Sequence, residues 1–443
     1  MKVVIIGGVA GGASAAARIR RLDEKAQITI FERTGFISYA NCGLPYYVGG
    51  VIADDSDLTL QTPESFWDRF RVEVHVSHEV LEINPDKKTV LVKNLNTNTE
   101  FEETYDKLLL SPGAKPNIPN LPGIENSRIF TLRTVEDTFK IHQFINETHP
   151  KRVTIIGGGF IGLEMAENLS ELGIEVTIAE YANHLMAPLD FDMACAVHAQ
   201  MHNHGIKLML NTEVTGFEQK NNIIITNTAN CCNIESDFVL LAMGVIPDTE
   251  LAKNAGLKLG IKGSIIVNER METSISDIYA VGDAVEVKHF ITGKKELISL
   301  AGPANKQGRI AADNICGGNS LFCGSQGSSI LKLFDMTIAA TGLNENSTKQ
   351  AGIDYESIVL SPLSHAGYYP GGKVMTMKVL FERTSLKLLG AQIIGFDGVD
   401  KRIDVIATAI RAKMKATDLK DLELAYAPPY SSAKDPVNMA GFM

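Results

Sequence analysis

The hydrophobic positions of this chain cluster in short, β-branched runs that stop at glycine, and helix-forming segments follow them. The run "KVVIIGG" (2–8) predicts a buried strand that ends in a glycine turn. "ASAAARIRRL" (13–22) predicts a helix, since alanine, leucine and arginine favour that state. "AQITIFER" (26–33) predicts a second strand ending at Glu32. The same order recurs in "RVTIIGGGFIGLEMAENLSELGIEVTIAE" (152–180), with the second strand ending at Glu180. "LLLSPGAKP" (108–116) and "VLLAMGVIPD" (239–248) read as strands closing in sharp turns, placed as crossings between domains. "IYAVGD" (278–283) reads as a strand that ends at Asp283.

Strand, glycine turn, helix and parallel strand make up the unit that holds a dinucleotide. In the first copy Gly7 and Gly12 hold fingerprint positions and Val9 takes the middle one. Glu32 lies where a carboxylate accepts both hydroxyls of a ribose. The second copy has Gly157, Gly159 and Gly162 in full register. Its helix begins at once, so its amides and dipole can face a pyrophosphate. Glu180 would repel an adenosine 2′-phosphate, and no arginine follows it closely, which favours NADH over NADPH. Asp283 is placed to bond the hydroxylated tail of a flavin.

A chain of 443 residues exceeds one hydrophobic core and implies two to four domains. The net charge of −10 argues against binding a nucleic-acid backbone. No apolar run is long enough to span a bilayer, and glycines interrupt the N-terminal run too early for a signal peptide. Six cysteines at irregular spacing, without a C-x-x-C pair, fit a reducing cytoplasm. Cys195, Cys231, Cys232, Cys316 and Cys323 read as small, mostly buried side chains, with Cys231 and Cys232 at a hairpin tip. His198, His202 and His204 read as surface histidines rather than a metal site, since H-E-x-x-H is missing. Phe66 and Trp67 in "ESFWDRF" read as helix-packing residues. Cys42, in "SYANCGLPYY" (38–47), stands apart, just after the first nucleotide unit. A helix beginning near it, with Asn41 as cap, would lower the thiol pKa.

This ordered set resembles the pyridine nucleotide–disulfide oxidoreductases over nearly the whole chain. The resemblance implies an α/β fold with two Rossmann-like dinucleotide-binding domains and a C-terminal α+β dimerisation domain. Residues 1–113 and 247–322 would form an FAD domain, 114–246 an inserted NAD(P)H domain, and 323–443 the domain that pairs two chains. Gly7, Gly12, Glu32, Asp283 and Ala301 fall on FAD positions. Gly157, Gly159, Gly162, Glu180 and Gly244 fall on NADH positions, and Phe160 where an aromatic ring shields the flavin.

Most disulfide reductases of the family carry two cysteines four residues apart, whereas Cys42 has no such neighbour. That places the chain with the single-cysteine branch of NADH peroxidases, NADH oxidases, coenzyme A disulfide reductases and persulfide reductases. Ala10 stands where the peroxidase and oxidase pattern has histidine. "HAGYYPGG" (365–372), "DKRIDV" (400–405) and "AYAPPYSSAKDPVNMAGF" (425–442) resemble coenzyme A disulfide reductases. Tyr368 and Tyr426 then fall on two active-site tyrosines supplied by the opposite subunit. Arg18, Arg21, Ser38, Asn41 and Asn305 fall on or near coenzyme A contacts. The implied activity is reduction of coenzyme A disulfide or persulfide through Cys42 and a mixed disulfide, in a cytoplasmic homodimer. The alternative is an NADH oxidase or peroxidase working through a Cys42 sulfenic acid. Some relatives continue into a rhodanese domain, which this sequence is not expected to carry.

Overall fold

The structure is a computed structural model that describes residues 1–59 and 61–443. Its chain forms two compact units. One comprises Met1–Ile118, Thr131–His149 and Gly244–Ser325, the other Pro119–Phe130, Pro150–Met243 and Gln326–Met443.

The first unit is built on a five-stranded sheet in the order Ile278–Ala280, Lys107–Leu110, Lys2–Ile6, Gln27–Glu32, Glu73–Val76. All its pairings are parallel. Val3, Val4, Ile5, Leu108 and Leu109 are fully buried, as expected of parallel strands without a solvent face. The helices Ala10–Leu22 and Ala301–Ile315 meet at glycine: a Cβ on Gly308 would lie 2.3 Å from the Gly11 carbonyl oxygen. The two expected crossings form an antiparallel ribbon, Ala114–Pro116 against Val245–Pro247. Arg20 anchors the rear of the first helix by donating to the carbonyls of Phe70, Asp23, Glu24, Ala26 and Arg71 at 2.6–3.2 Å.

The expected start of the inserted domain at residue 114 does not match this division, because 131–149 packs with the first unit. Its helix Val135–Thr148 opens on a reciprocal cap between Thr134 and Asp137. Phe139 packs against Phe36 and Tyr47, and Glu136 accepts the Gly35 amide at 2.8 Å.

In the second unit the parallel strands Lys207–Met209, Glu175–Ala179, Arg152–Ile156 and Phe238–Leu241 follow one another in that order. The same unit holds an antiparallel sheet ordered Ser329–Leu333, Met336–Gly342, Leu388–Gly395, Met375–Glu382, Tyr355–Leu360. Helix Val399–Arg411 packs on that sheet. A buried cation joins these two parts. Lys378, whose side chain is 3% exposed, lies 3.0 Å from Asp190, 2.9 Å from Asp192 and 2.7 Å from Glu345. Burial alone would lower its pKa, but the three carboxylates raise it well above that of an ordinary lysine. Gln392 completes the cluster by donating to Asp190 at 2.7 Å and accepting the Asp190 amide at 2.7 Å.

Several sequence expectations are corrected. Phe66 is buried, but Trp67 is 48% exposed, with the Arg71 guanidinium over its ring. Cys195, Cys231, Cys232 and Cys323 are exposed, and Cys316 is partly buried. Cys231 and Cys232 do lie between paired strands Ile223–Thr228 and Ile234–Ser236, at a tip where nothing covers small side chains. His198 is half-buried and accepts the Leu185 amide at 3.2 Å, while His204 stacks on Phe334. No helix among the described residues is long and apolar enough to cross a membrane.

Two substitutions test this packing. Gly162→Ala would place a methyl 2.1 Å from the Gly157 carbonyl oxygen, so thermal unfolding should show a loss of about 1–3 kcal/mol. Unchanged stability would contradict the close approach. Lys378→Met leaves a carboxylate cluster without its cation and should cost about 3–5 kcal/mol in denaturant unfolding. A loss below about 1 kcal/mol would assign the cluster a minor role.

Candidate active site

The two glycine turns are made alike, because main chain must pass close to main chain in each. Gly7 has φ +94°, and a Cβ there would lie 2.1 Å from the Ser111 carbonyl oxygen. A Cβ on Gly12 would lie 1.9 Å from the Gly7 carbonyl oxygen. In the second turn, Gly157 has φ +107° and approaches Ala242, and Gly162 closes on Gly157. These four positions demand glycine for the fold itself. Gly159 differs: a Cβ there would meet nothing within 4 Å. The omitted side chain relieves no packing inside the chain, and it leaves room over the helix Phe160–Glu171.

Both carboxylates expected at ribose positions are buried or half-buried and held by amides. Glu32 accepts the Gly8 amide at 2.8 Å with one oxygen and the Thr34 amide and hydroxyl at 2.9 Å with the other. Glu180 accepts the Gly158 amide at 2.6 Å and the Ala182 amide at 2.7 Å. A carboxylate has about four acceptor positions, so each keeps capacity for hydroxyl donors. The helices beginning at Ala10, Phe160 and Ala301 have no side-chain cap and no acid in their first turns. Their amide ends suit phosphate. The residues present therefore fit a dinucleotide at each turn.

Asp283 lies in the turn Gly282–Ala284, just beyond its strand, where Arg133 donates to it at 2.8 Å. Arg133 belongs to no motif read from the sequence, and it adds a cation to this end of the sheet. Gln307 accepts the Gly282 amide at 2.7 Å and fixes the turn to the helix Ala301–Ile315. Asn305, on the exposed side of that helix, bonds Ser14 and the Ala301 carbonyl. Ala301 and Phe160 each open a helix. Gly244 has φ +81° with open space around it and belongs by its contacts to the first unit, unlike the other expected NADH residues.

The cysteine segment hangs from the first glycine turn. The Ser38 amide donates to the Gly8 carbonyl at 2.9 Å, and Ser38 takes a left-handed φ of 49°. The Ala40 amide donates to Leu58 at 2.8 Å. Asn41–Gly43 form a single 3₁₀ turn with the exposed thiol of Cys42 at its centre. Asn41 begins this turn and does not cap it, and the helix that follows, Leu44–Val48, has only five residues. Dipole assistance to a thiolate is correspondingly small. Tyr39, next to this segment, is buried, and burial followed by the nearby Glu32 charge pushes its pKa up. Of the arginines, Arg18 is tied to Asp313 at 2.7 Å, while Arg21 is exposed and lies over the Phe70 ring. They face different neighbours and do not form one open cationic pair.

In the second unit two phenols distant in sequence meet. The Tyr368 and Tyr426 hydroxyls are 2.7 Å apart, and the residues are 75% and 47% exposed. This hydrogen bond raises the Tyr368 pKa above the ordinary tyrosine value. The three motifs around them converge on buried Arg402, which donates to Asp435 at 3.0 Å and to the Ser364 carbonyl at 2.8 Å. Sequence reasoning placed "DKRIDV" in the family pattern without assigning Arg402 this task.

Comparison with known proteins bears on the family. Residues 1–308 match the family described as pyridine nucleotide-disulphide oxidoreductase, and residues 328–436 match its dimerisation domain. The chain is 38% identical to a coenzyme A disulfide reductase of Staphylococcus aureus, over 100% of this chain and 99% of that one. The crystal structure of reduced Bacillus anthracis CoADR-RHD superposes with a TM-score of 0.98 at 51% identity, covering 100% of this chain and 79% of that one. A NAD-dependent persulfide reductase from A. fulgidus superposes with a TM-score of 0.97 at 39% identity, covering 100% and 82%. The paired glycine turns, their buried carboxylates and a matching C-terminal sheet have one common explanation: the chain belongs to the pyridine nucleotide-disulphide oxidoreductase family and is a flavin-dependent oxidoreductase of that family.

Proposed function

We propose that this enzyme uses NADH to reduce coenzyme A disulfide, or a coenzyme A persulfide, through the single thiol of Cys42. The observation that carries the reading is the pair of exposed, hydrogen-bonded phenols of Tyr368 and Tyr426. Exposed phenols aimed at each other form a proton donor and acceptor pair suited to a departing thiolate. Similarity to the Staphylococcus aureus coenzyme A disulfide reductase supports the same substrate class.

Gly7, Gly12, Glu32, Asp283 and Ala301 would hold FAD, with Arg133 as an added cation. Gly157, Gly159, Phe160, Gly162, Glu180 and Gly244 would hold the pyridine nucleotide. The Glu180 carboxylate disfavours a 2′-phosphate, which makes NADH the preferred donor. FAD, when bound, supplies a two-electron relay between nicotinamide and sulfur.

Cys42 does the exchange chemistry. Its thiolate attacks one sulfur of the substrate disulfide, the S–S bond breaks, and one thiol leaves with a proton. Cys42 keeps the other half as a mixed disulfide. Two electrons and a proton then release the second thiol and restore the Cys42 thiolate. A two-cysteine enzyme stores those electrons in its own disulfide; here the substrate provides the second sulfur. Ser38, Asn41, Asn305 and Arg21 would line the approach for coenzyme A, and Arg18 would contribute only the part of its guanidinium not committed to Asp313. Two copies of the chain would pair through the C-terminal domain, so that Tyr368 and Tyr426 of one serve Cys42 of the other. Exposed Val359, Val374, Tyr430 and Phe442 on that domain are consistent with such a contact.

Cys42→Ser holoenzyme should lose disulfide-dependent NADH consumption by at least about a hundredfold while still accepting electrons from NADH. Full turnover in that variant would end the proposal. Mass spectrometry of protein purified without reductant should find a coenzyme A adduct on Cys42. A sulfenic acid there, together with oxygen-dependent NADH loss, would point to the oxidase chemistry instead. Tyr426→Phe should slow disulfide turnover more than it slows electron entry from NADH, and equal slowing of both would remove the phenol from thiol release.

A further inference from the structure

The exposed tyrosines sit on loops, and loops do not by themselves hold two hydroxyls at hydrogen-bond distance. Something must fix the segment 364–372 against the segment 425–431. The buried cluster beneath them does so. The Arg402 guanidinium is 1% exposed and reaches four stretches of chain. Its Nη2 donates to the Ser364 carbonyl at 2.8 Å, the Tyr430 carbonyl at 3.2 Å, the Ser431 hydroxyl at 3.3 Å and Asp435 at 3.0 Å. Its Nη1 donates to the Gly398 carbonyl at 3.0 Å, and its Nε to Asp435 at 3.2 Å. A Cβ on Gly398, which has φ +69°, would lie 2.0 Å from Nη1, so that glycine makes way for the guanidinium.

Asp435 gathers the same stretches from the other side. It accepts from the Ser431 hydroxyl at 2.6 Å and from the Val437 amide at 3.0 Å. Burial pushes its pKa up, but Ser431, the Val437 amide and Arg402 together hold it below the usual carboxylate value. The two tyrosine loops are also stitched directly, Ala366 amide to Ser431 carbonyl at 3.0 Å. Lys401, next to Arg402, donates to the Ala425 carbonyl at 3.3 Å, one residue before Tyr426.

We propose that Arg402, together with Asp435, is a positioning residue for the Tyr368–Tyr426 phenol pair: its guanidinium locks the two loops so that the hydroxyls share one hydrogen bond. The proposal deepens the functional reading above, on which it rests for what the phenols do. Lysine cannot replace arginine here, because a single ammonium lacks the planar fork that serves Ser364, Gly398, Tyr430 and Asp435 at once.

The test uses Arg402→Lys holoenzyme beside Tyr426→Phe and the double variant. With coenzyme A disulfide as substrate, Arg402→Lys should lower kcat at least about tenfold with KM nearly unchanged. Flavin reduction by NADH should keep its rate. The double variant should be no slower than Tyr426→Phe alone, since both changes break one hydrogen bond. Independently of activity, the alkaline phenolate titration assigned to Tyr368, by difference from Tyr368→Phe, should move down in pH in Arg402→Lys. An unmoved Tyr368 titration, multiplicative losses in the double variant, or equal slowing of flavin reduction would each overturn the proposal. If Arg402→Lys does not fold, Ser431→Ala, which removes one hydroxyl from the cluster, should give the same downward titration, and an unmoved one is again fatal. If Tyr426→Phe keeps full turnover, the chemical role given to the phenols falls, while the titration still decides the positioning.

Discussion

Gly8 is held at both its amide and its carbonyl, and much of the first unit depends on that grip. Its amide donates to the Glu32 carboxylate, and its carbonyl accepts the Ser38 amide. One residue thus connects the end of the second strand, the glycine turn and the segment that carries Cys42. A side chain at Gly8 would press on Ile30 and Ile37, with Ile37 Cγ1 at 3.1 Å from an added Cβ. Ser38 accepts a left-handed backbone that costs about 1–3 kcal/mol when isolated. The bonds around it hold the strain, and the thiol follows four residues later in the 3₁₀ turn ahead of a short helix. A segment anchored to the glycine turn itself fixes the position of Cys42 with few residues.

The second unit repeats the carboxylate device and adds another. Glu180 holds Gly158 as Glu32 holds Gly8, so each acid maintains its own glycine turn. The acid at such a position therefore has a structural duty of its own. Beyond this turn the unit relies on buried arginine and lysine. Lys378 joins the nucleotide sheet to the C-terminal sheet, and Arg402 joins the loops that present the two phenols. Buried charges of this kind are costly to desolvate and are tolerated because several acceptors converge on each.

The phenols and the thiol are both exposed but are held in different ways. Cys42 is exposed on a tightly bonded turn, while Tyr368 and Tyr426 are exposed on loops pinned from below. Both sets of groups face solvent; main-chain hydrogen bonds order the thiol segment, and the buried Arg402 and Asp435 side chains order the tyrosine loops.

Glycine turns, strand order and the acids at Glu32 and Glu180 are legible in the amino-acid string, since backbone that nearly touches backbone admits only glycine and each unit closes within some thirty residues. Cys42 is legible as an isolated thiol for the same local reason. The capping box of Thr134 and Asp137 was equally readable and marks a helix that packs with the first unit, which composition gave no means of assigning. Arg133 on Asp283, Lys378 among its carboxylates, Arg18 on Asp313 and Arg402 under the tyrosines had no local mark. A lysine or arginine destined for burial has the same spelling as one destined for water. Which of the two it becomes depends on acceptors brought together from 30 to 300 residues away, and that meeting exists only once the chain has folded.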